Sequence, residues 1–326
     1  MIDKARRWLL ASLGVVLGVS LAGPALAQSF PNRPLRLVVP YSAGGSTDLL
    51  ARLVAQHMGE TLGQQVQVVN KPGGAAMIGA EDIARSAPDG YSLLLATTAV
   101  GANTVLYTKV PYTLKSFSAV SPVAVAPMVL AVNASLPVDN LASFIAYAKA
   151  RPGVLNYVAL GRGGLTHLVS ERFLALADLK VVEVNFPGAG PAQTALAGNH
   201  VQVFFDSIPS SLPFAQSGQT KLLAATSEQR MATLPNVPTF AELGYPQMTK
   251  GGWYGILAPA GTPEPILLRL RSAVDGALKL PAVLERLTAL GAEPLSLAPS
   301  AFDDYVQKDA AYWGEIVKRL GLQLDN

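Results

Sequence analysis

The sequence predicts an α/β fold with two lobes, mostly parallel sheets and a cleft between the lobes. Short apolar runs of strand length alternate with helical patterns along almost the whole chain, which is typical of a largely parallel sheet. About 299 residues follow a predicted signal peptide. A single hydrophobic core usually stabilises a shorter chain than this. We therefore expect two lobes.

The first 27 residues have the pattern of a secretory signal peptide. Basic residues at positions 4, 6 and 7 precede an apolar run over residues 8–22, and Ala25-Leu26-Ala27 is a small-residue cleavage site. The apolar run is too short for a comfortable membrane span. We therefore predict cleavage after Ala27 and a periplasmic mature protein.

Composition limits the classes of function. The predicted signal peptide removes three basic residues and one acidic residue, so the formal charge of +3 falls to +1, and there is no basic patch for nucleic acid. There is no cysteine, which rules out disulfides, thiolate catalysis and cysteine-bound metal. The three histidines lack metal-ligand spacing, and no dinucleotide or phosphate-loop motif is complete. We expect neither a metal nor a cofactor.

The elements can be followed along the chain. The predicted strands cover residues 35–39, 66–70, 92–97, 129–133, 155–159, 181–186, 201–206, 222–226 and 254–258. Predicted helices include residues 282–290, closed by Gly291, and a last helix that Ser300 and Asp303 would cap. Apolar residues 120–132 and the Pro- and Gly-rich residues 234–252 are predicted to cross between lobes. The first domain would then comprise residues 28–127 plus 250–326, and the second residues 128–249.

Three predicted strands end in glycine-rich corners that lead into helices. The first is Pro40-Tyr-Ser-Ala-Gly-Gly-Ser-Thr-Asp48, the second Leu160-Gly-Arg-Gly-Gly-Leu-Thr-His167, and the third Pro187-Gly-Ala-Gly-Pro191. Helix starts leave backbone N–H groups without partners, and these donors attract anions. Ser46, Thr47 and Thr166 are the candidate N-caps. In a parallel sheet such corners share one edge, so they are expected to face one cleft and grip a carboxylate.

Several side chains near these corners have two readings. His167 either orders its helix start by hydrogen bonding or acts as a general base. Asp206 either caps the turn at Pro209 or faces the cleft and reads a ligand amine or hydroxyl. Arg162 is either a solvated loop residue or a cation that pairs with a second carboxylate.

The chain resembles the Bug family, the extracytoplasmic solute receptors of tripartite tricarboxylate transporters. The resemblance spans nearly the whole mature chain and rests on motifs in family order. These are the first corner, Val69-Asn-Lys-Pro-Gly-Gly74, Asp89-Gly-Tyr-Ser-Leu-Leu94, Thr166-His-Leu168 with Glu171, Gly188-Ala-Gly-Pro191, Phe205-Asp206, Leu234-Pro-Asn-Val-Pro-Thr239 and Trp253-Tyr-Gly-Ile-Leu-Ala-Pro-Ala-Gly-Thr-Pro263.

The resemblance implies a flytrap-like, periplasmic-binding-protein-like fold in which two corners pinch a ligand carboxylate. The ligand-binding residues it implies are Tyr41, Ser42, Ala43, Gly44, Gly45, Ser46, Asp48, Thr97, Thr98, Ala159, Gly161, Arg162, Gly163, Gly164, Thr166, His167, Gly188, Ala189 and Asp206. Of these, Asp48 would hold ordered water or the loop, and Gly188, Ala189 and Asp206 would face the variable part of the ligand. Relatives often carry serine in place of Ala159, and Pro187 lacks an N–H, so the far end of the pocket departs from the family pattern.

Three hypotheses of function follow. The preferred one is a monomeric receptor that captures a small organic carboxylate without catalysis and delivers it to the membrane permease subunits of a tripartite tricarboxylate-type transporter. The second is a ligand sensor that docks on a membrane sensor kinase. The third is a secreted α/β hydrolase that uses His167 with Asp48 or Asp206.

Overall fold

The computed structural model describes residues 30–44, 46–161, 163–249 and 251–322, so the predicted signal peptide lies outside the described residues. Its strands are β1 (Leu35–Val39), β2 (Val66–Asn70), β3 (Ser92–Thr97), β4 (Phe117–Ala126), β5 (Met128–Asn133), β6 (Asn156–Ala159), β7 (Val182–Asn185), β8 (Val203–Ser207), β9 (Thr220–Ala225), β10 (Gly252–Pro259) and β11 (Glu293–Pro294). Its helices are α1 (Ser46–Leu62), α2 (Met77–Ala84), α3 (Thr98–Leu106), α4 (Leu141–Lys149), α5 (Leu165–Ala177), α6 (Ala189–Ala197), α7 (Ile208–Gln216), α8 (Glu264–Ala277), α9 (Pro281–Ala289) and α10 (Pro299–Leu320).

The strands form two sheets, one in each lobe. The first sheet has the order β11-β4-β10-β3-β1-β2, and the second has the order β7-β6-β8-β5-β9. The α/β architecture with two lobes is therefore confirmed, but each sheet is mixed rather than mostly parallel as predicted. The pairs β1–β2, β1–β3, β6–β7 and β6–β8 are parallel, whereas the pairs of β4, β5 and β10 with their neighbours are antiparallel.

The antiparallel pairs come from the strands at the crossings between the lobes. β4 runs directly into β5 in the other sheet, with Pro127 as the single residue between them. Proline has no N–H to give to a ladder, so the pairing stops there and the chain passes to the second sheet. β10 follows the return crossing and pairs with both β3 and β4.

Buried apolar side chains come from both lobes and from the last helix. α10 contributes Phe302 and Val306 to a core with strands of the first sheet, and Trp313, Ile316 and Val317 to a core with the second lobe. The apolar side chains of this helix are therefore buried against both lobes. α10 bridges the lobes, so three stretches of chain connect them: the two crossings and this helix.

Two predicted helix caps are wrong. α10 begins at Pro299 after Ala298, and no side chain caps it, because the residue at the cap position is an alanine without a side-chain acceptor. α5 begins at Leu165 after Gly164, one residue before the predicted cap Thr166. The Thr166 hydroxyl instead accepts a hydrogen bond from the Leu160 amide, at 2.9 Å, and so closes the loop before the helix.

Candidate functional site

A cavity of about 280 Å³ lies between the two sheets at the ends of strands from both lobes. Its walls combine loop residues, helix starts and the two crossings. The lining residues are Tyr41, Thr47, Thr97, Thr98, Ala99, Ala126, Pro127, Met128, Leu160, Gly164, Leu165, Thr166, Ala189, Asp206, Ser207, Gly252, Trp253 and Tyr254. Of the described residues in these walls, Asp206 alone carries a charged side chain.

Five helices begin at this cavity. Thr47 lies in the first turn of α1, Thr98 and Ala99 open α3, and Leu165 and Thr166 open α5. Ala189 is the first residue of α6, and Ser207 immediately precedes α7. The first N–H groups of a helix have no partner within it, and the helix dipole adds partial positive charge at that end. The helix starts therefore place partial positive charge around the cavity without a lysine or arginine among its described lining residues, while Asp206 contributes a carboxyl group to one wall.

The corner before α1 is held in place by Asp48. This carboxylate is 2% exposed and accepts hydrogen bonds from the Gly44 amide at 2.9 Å, from Arg52 Nε at 3.0 Å and from Asn70 Nδ2 at 2.9 Å. Burial pushes the pKa of Asp48 upward, but the bonds from Arg52, Gly44 and Asn70 outweigh it, and the pKa lies below its ordinary value. Asn70 Nδ2 also donates to the Tyr41 carbonyl at 3.1 Å, so β2 and α1 together fix the loop.

Two adjacent threonines, at the end of β3 and the start of α3, tie the first lobe together beside the cavity. The hydroxyls of Tyr41 and Thr97 are 2.9 Å apart and share a hydrogen bond. Burial raises the pKa of Tyr41 to about 12, so the phenol is neutral and remains a donor. Thr98 Oγ1 accepts from the Trp253 amide at 3.1 Å, which fixes the return crossing against the start of α3.

The corner before α5 is ordered by His167, which is 1% exposed. Its Nδ1 lies 3.2 Å from the Gly163 amide, which donates to it, and its Nε2 lies 3.6 Å from a carboxylate oxygen of Glu183. Both ring nitrogens therefore face protein groups, and the histidine is not among the lining residues. These contacts fit the predicted role in which His167 orders the start of its helix by hydrogen bonding.

Asp206 lies at the end of β8, in the second lobe, and is 3% exposed. Gln193 Nε2 donates to Oδ2 at 2.7 Å and Ser211 Oγ donates to it at 3.2 Å. Burial raises the pKa of Asp206, and hydrogen bonds from Ser210, Gln193 and the Ser207 amide oppose the rise. This carboxylate braces the start of α7 through Ser211 and also lines the cavity, so its position is compatible with both readings of the sequence, and the contact with a ligand stays a prediction.

The predicted site residues divide into three groups. Seven of them line the cavity: Tyr41, Thr97, Thr98, Gly164, Thr166, Ala189 and Asp206. Ten others lie within three residues of a lining residue in the sequence but do not line the cavity: Ser42, Ala43, Gly44, Ser46, Asp48, Ala159, Gly161, Gly163, His167 and Gly188. Gly45 and Arg162 lie outside the described residues.

Sequence reasoning missed the walls formed by the crossings. Ala126, Pro127 and Met128 line the cavity from one crossing, and Gly252, Trp253 and Tyr254 line it from the other. The available signal was the pair of crossings itself, since a cleft between lobes is bounded on one side by the chain that joins them. Asn70 was also missed, although it is the last residue of a predicted strand; it bonds to Tyr41 and Asp48 of the first corner.

Among the described residues, every helix is too short or too polar to span a membrane. Within the same residues, no group of three or more His, Cys, Asp or Glu side chains is placed to hold a metal ion.

The fold and the cavity define a two-lobed ligand-binding protein. Residues 50–322 match the family model described as the tripartite tricarboxylate transporter family receptor, TctC. The chain belongs to this family of periplasmic receptors, and the resemblance to Bug proteins is confirmed. It is 35% identical to Protein BugT of Bordetella pertussis over 322 residues, which cover 97% of this chain and 98% of that protein. The protein is thus a solute receptor of the type that serves tripartite transporters.

Solved structures of similar proteins share the fold. A structure described as that of a periplasmic transporter is 36% identical, with a TM-score of 0.84, and the match covers 91% of this chain and all of that one. Rpa4515 of R. palustris, solved with adipate, is 32% identical with a TM-score of 0.83 and the same coverage. MatC of Rhodopseudomonas palustris, solved with malate, is 33% identical with a TM-score of 0.79, over 88% of this chain and all of that one.

Proposed function

We propose that this receptor binds a small organic carboxylate in the cavity of about 280 Å³ between its lobes, with the carboxylate held by backbone N–H groups. The observation that carries the proposal is the meeting of five helix starts at one cavity. Each helix start contributes about 0.3–1 kcal/mol toward an anion, and each hydrogen bond to a charged group about 1.5–3 kcal/mol. The malate and adipate bound by relatives are anions of the same chemistry.

Electrostatics alone does not supply the whole affinity. A micromolar dissociation constant corresponds to about 8 kcal/mol after association costs of at least about 4 kcal/mol. Burial of the rest of the ligand against Met128, Leu165 and Trp253 supplies the remainder as the lobes close. Ligand therefore shifts the open and closed forms toward the closed one.

The decisive experiment compares an acid with its uncharged primary amide. Thermal-shift screening of organic acids selects a binder, and calorimetry at pH 7 then measures that acid and the matching amide. We expect the amide to bind at least tenfold more weakly, because it has lost the charge that the helix starts attract. Equal affinities would contradict the proposal.

A charge placed in the cavity provides a matched pair of variants. Ala189→Asp adds a carboxylate at the first residue of α6, in the cavity wall, whereas Ala282→Asp adds one to the exposed first turn of α9. Both substitutions suit a helix start. We expect Ala189→Asp to weaken the acid at least tenfold and Ala282→Asp to leave its affinity unchanged.

The remaining parts of the proposal concern processing, domains and partners. The signal peptide is cleaved after Ala27, and the mature chain is a periplasmic monomer that presents its closed form to the permease subunits of a tripartite tricarboxylate-type transporter. Residues 28–127 plus 250–326 form one lobe and residues 128–249 the other, which agrees with the membership of the two sheets.

The ligand is released chemically unchanged, and recovery of the intact acid after hours of incubation tests this. The buried, doubly engaged ring of His167 supports binding without catalysis.

A further inference from the structure

A second, smaller cavity of about 150 Å³ lies between α5 and α10, away from the cleft. Arg172 comes from α5, and Tyr312, Glu315 and Arg319 come from α10. Two arginines and one glutamate give its walls a net positive charge. Thr166 lines the cleft six residues before Arg172, so the two cavities are about 9 Å apart along α5 at 1.5 Å per residue.

Arg172 is held without an acceptor for its buried donors. Its guanidinium carbon lies 4.2 Å above the ring of Tyr312, and its Nε and Nη1 atoms are buried with no hydrogen-bond partner in the described part of the chain. Leaving a buried donor unsatisfied is unfavourable, and more so when the group is charged. Burial, with Arg319 nearby, lowers the pKa of Arg172 to about 10, so the group is still a cation at neutral pH.

The neighbouring acids are engaged elsewhere or exposed. Glu171 is the next residue on α5, and its carboxylate accepts a hydrogen bond from the Tyr157 hydroxyl. Glu315 is exposed, and none of the ion pairs formed within 4.0 Å by the described residues joins it to Arg172. A water molecule in the cavity would not offset the two positive charges, whereas an anion would. Because Nε and Nη1 of Arg172 are buried, the guanidinium must shift slightly to turn these donors toward the anion.

We propose that this cavity is a second anion site, in which Arg172 and Arg319 bind a small oxyanion, either a carboxylate or a tetrahedral anion such as sulfate. Guanidinium groups bind such oxyanions through paired, charge-assisted hydrogen bonds. An anion here connects α5, whose start lines the cleft, with α10, which bridges the lobes. The site is independent of the ligand proposed for the cleft.

Sulfate is the probe, titrated against sodium chloride at constant ionic strength in the full mature protein, because a carboxylate such as acetate is also expected to bind in the cleft. We expect sulfate to raise the melting temperature of the wild-type protein by about 2–4 °C. The expected shift is absent in Arg172→Met. The matched control is Arg151→Met, because Arg151 also stacks on a tyrosine ring, at 4.0 Å from Tyr147, but is exposed. Arg151→Met is expected to keep the full shift.

Two further variants separate this site from other sources of the shift. The shift persists in Ala189→Asp, whose cleft carries its own carboxylate, and Glu315→Gln binds the anion more tightly because a competing charge is gone. A shift that Arg172→Met retains, or that Ala189→Asp abolishes, would overturn the proposal. A wild-type protein that does not respond to sulfate would overturn it as well. If Glu315→Gln and Arg172→Met then destabilise the protein equally, Glu315 is the partner of Arg172.

Discussion

Asp48 offers the sharpest test of how the first corner is held, through the substitution Asp48→Asn. The carboxylate receives three donors, two on Oδ2 and one on Oδ1. An asparagine has one acceptor oxygen and one NH₂ group, so whichever way it turns, at least one donor of Gly44, Arg52 or Asn70 meets another donor.

The expected loss follows from those contacts. One buried hydrogen bond to a charged group contributes about 1.5–3 kcal/mol. The Arg52 side chain is 52% exposed, so its charge adds little beyond the hydrogen bond. A loss of about 2 kcal/mol lowers the melting temperature by about 4–8 °C. The loop before α1 is also released, so the affinity for a cleft ligand falls.

The pH dependence gives a second readout of the same bond network. Because the folded-state pKa of Asp48 is depressed, its contribution is present above its unfolded pKa of about 3.9 and is lost as pH falls through the folded-state value. Asparagine has no such titration. The stability gap between wild type and Asp48→Asn should therefore be full at pH 6 and shrink below about pH 4.

Circular dichroism of thermal and urea unfolding measures both effects. Asp139→Asn is the control, because Asp139 pairs with Lys221 but its side chain is 92% exposed, and we expect almost no change. If Asp48→Asn unfolds at the wild-type midpoint at pH 6, or if the gap is the same at pH 3, the reasoning is wrong.

Three further predictions concern two closely packed glycines and one buried hydrogen bond. Gly255→Ala should destabilise by about 1–3 kcal/mol in urea unfolding, because a Cβ there would lie 2.2 Å from the ring of Phe302; Phe302→Leu in the same chain should recover part of the loss, and additive losses would contradict the contact. Gly164→Ala should weaken a cleft ligand in calorimetry, since its Cβ would lie 3.1 Å from a loop carbonyl oxygen and shift the cavity wall; unchanged affinity would speak against it. Trp253→Phe should lower the free energy of unfolding by about 1.5–3 kcal/mol, because it removes the 2.7 Å hydrogen bond that Nε1 donates to Asp309. Urea unfolding followed by circular dichroism measures this loss, and an unchanged free energy of unfolding would contradict the prediction.

The strands of the first lobe were the most predictable part of the fold. The predicted bounds of β1, β2 and β3 coincide with those observed, because each is a short apolar run bounded by polar or turn residues. The segment containing β4 and β5 was less readable. Its apolar residues continue on both sides of Pro127, and periodicity cannot divide a run that is buried on both faces. Sequence reasoning placed a crossing there but resolved one strand of the two.

The candidate site was predictable in its ingredients but not in its assembly. Glycine-rich corners can be read from sequence, since Gly44 and Gly161 have positive φ values of 86° that favour glycine. Which corner residues turn toward a cavity depends on the packing of whole lobes. Gly44 faces open space, whereas Gly164 lines the cavity. The start of α3 contributes Ala99, a residue with no chemical signal of its own.

The last helix has a mechanical consequence for a receptor that must open and close. α10 spans 22 residues, with Phe302 seated in one lobe and Trp313 in the other. If the whole helix moved with one lobe, the aromatic ring packed in the other lobe would become exposed to water. This exposure costs about 25 cal/mol of free energy for each Å² of apolar surface. The pivot must therefore run close to the middle of the helix, between Val306 and Trp313. The extent to which the cleft opens is then set by how far α10 can bend.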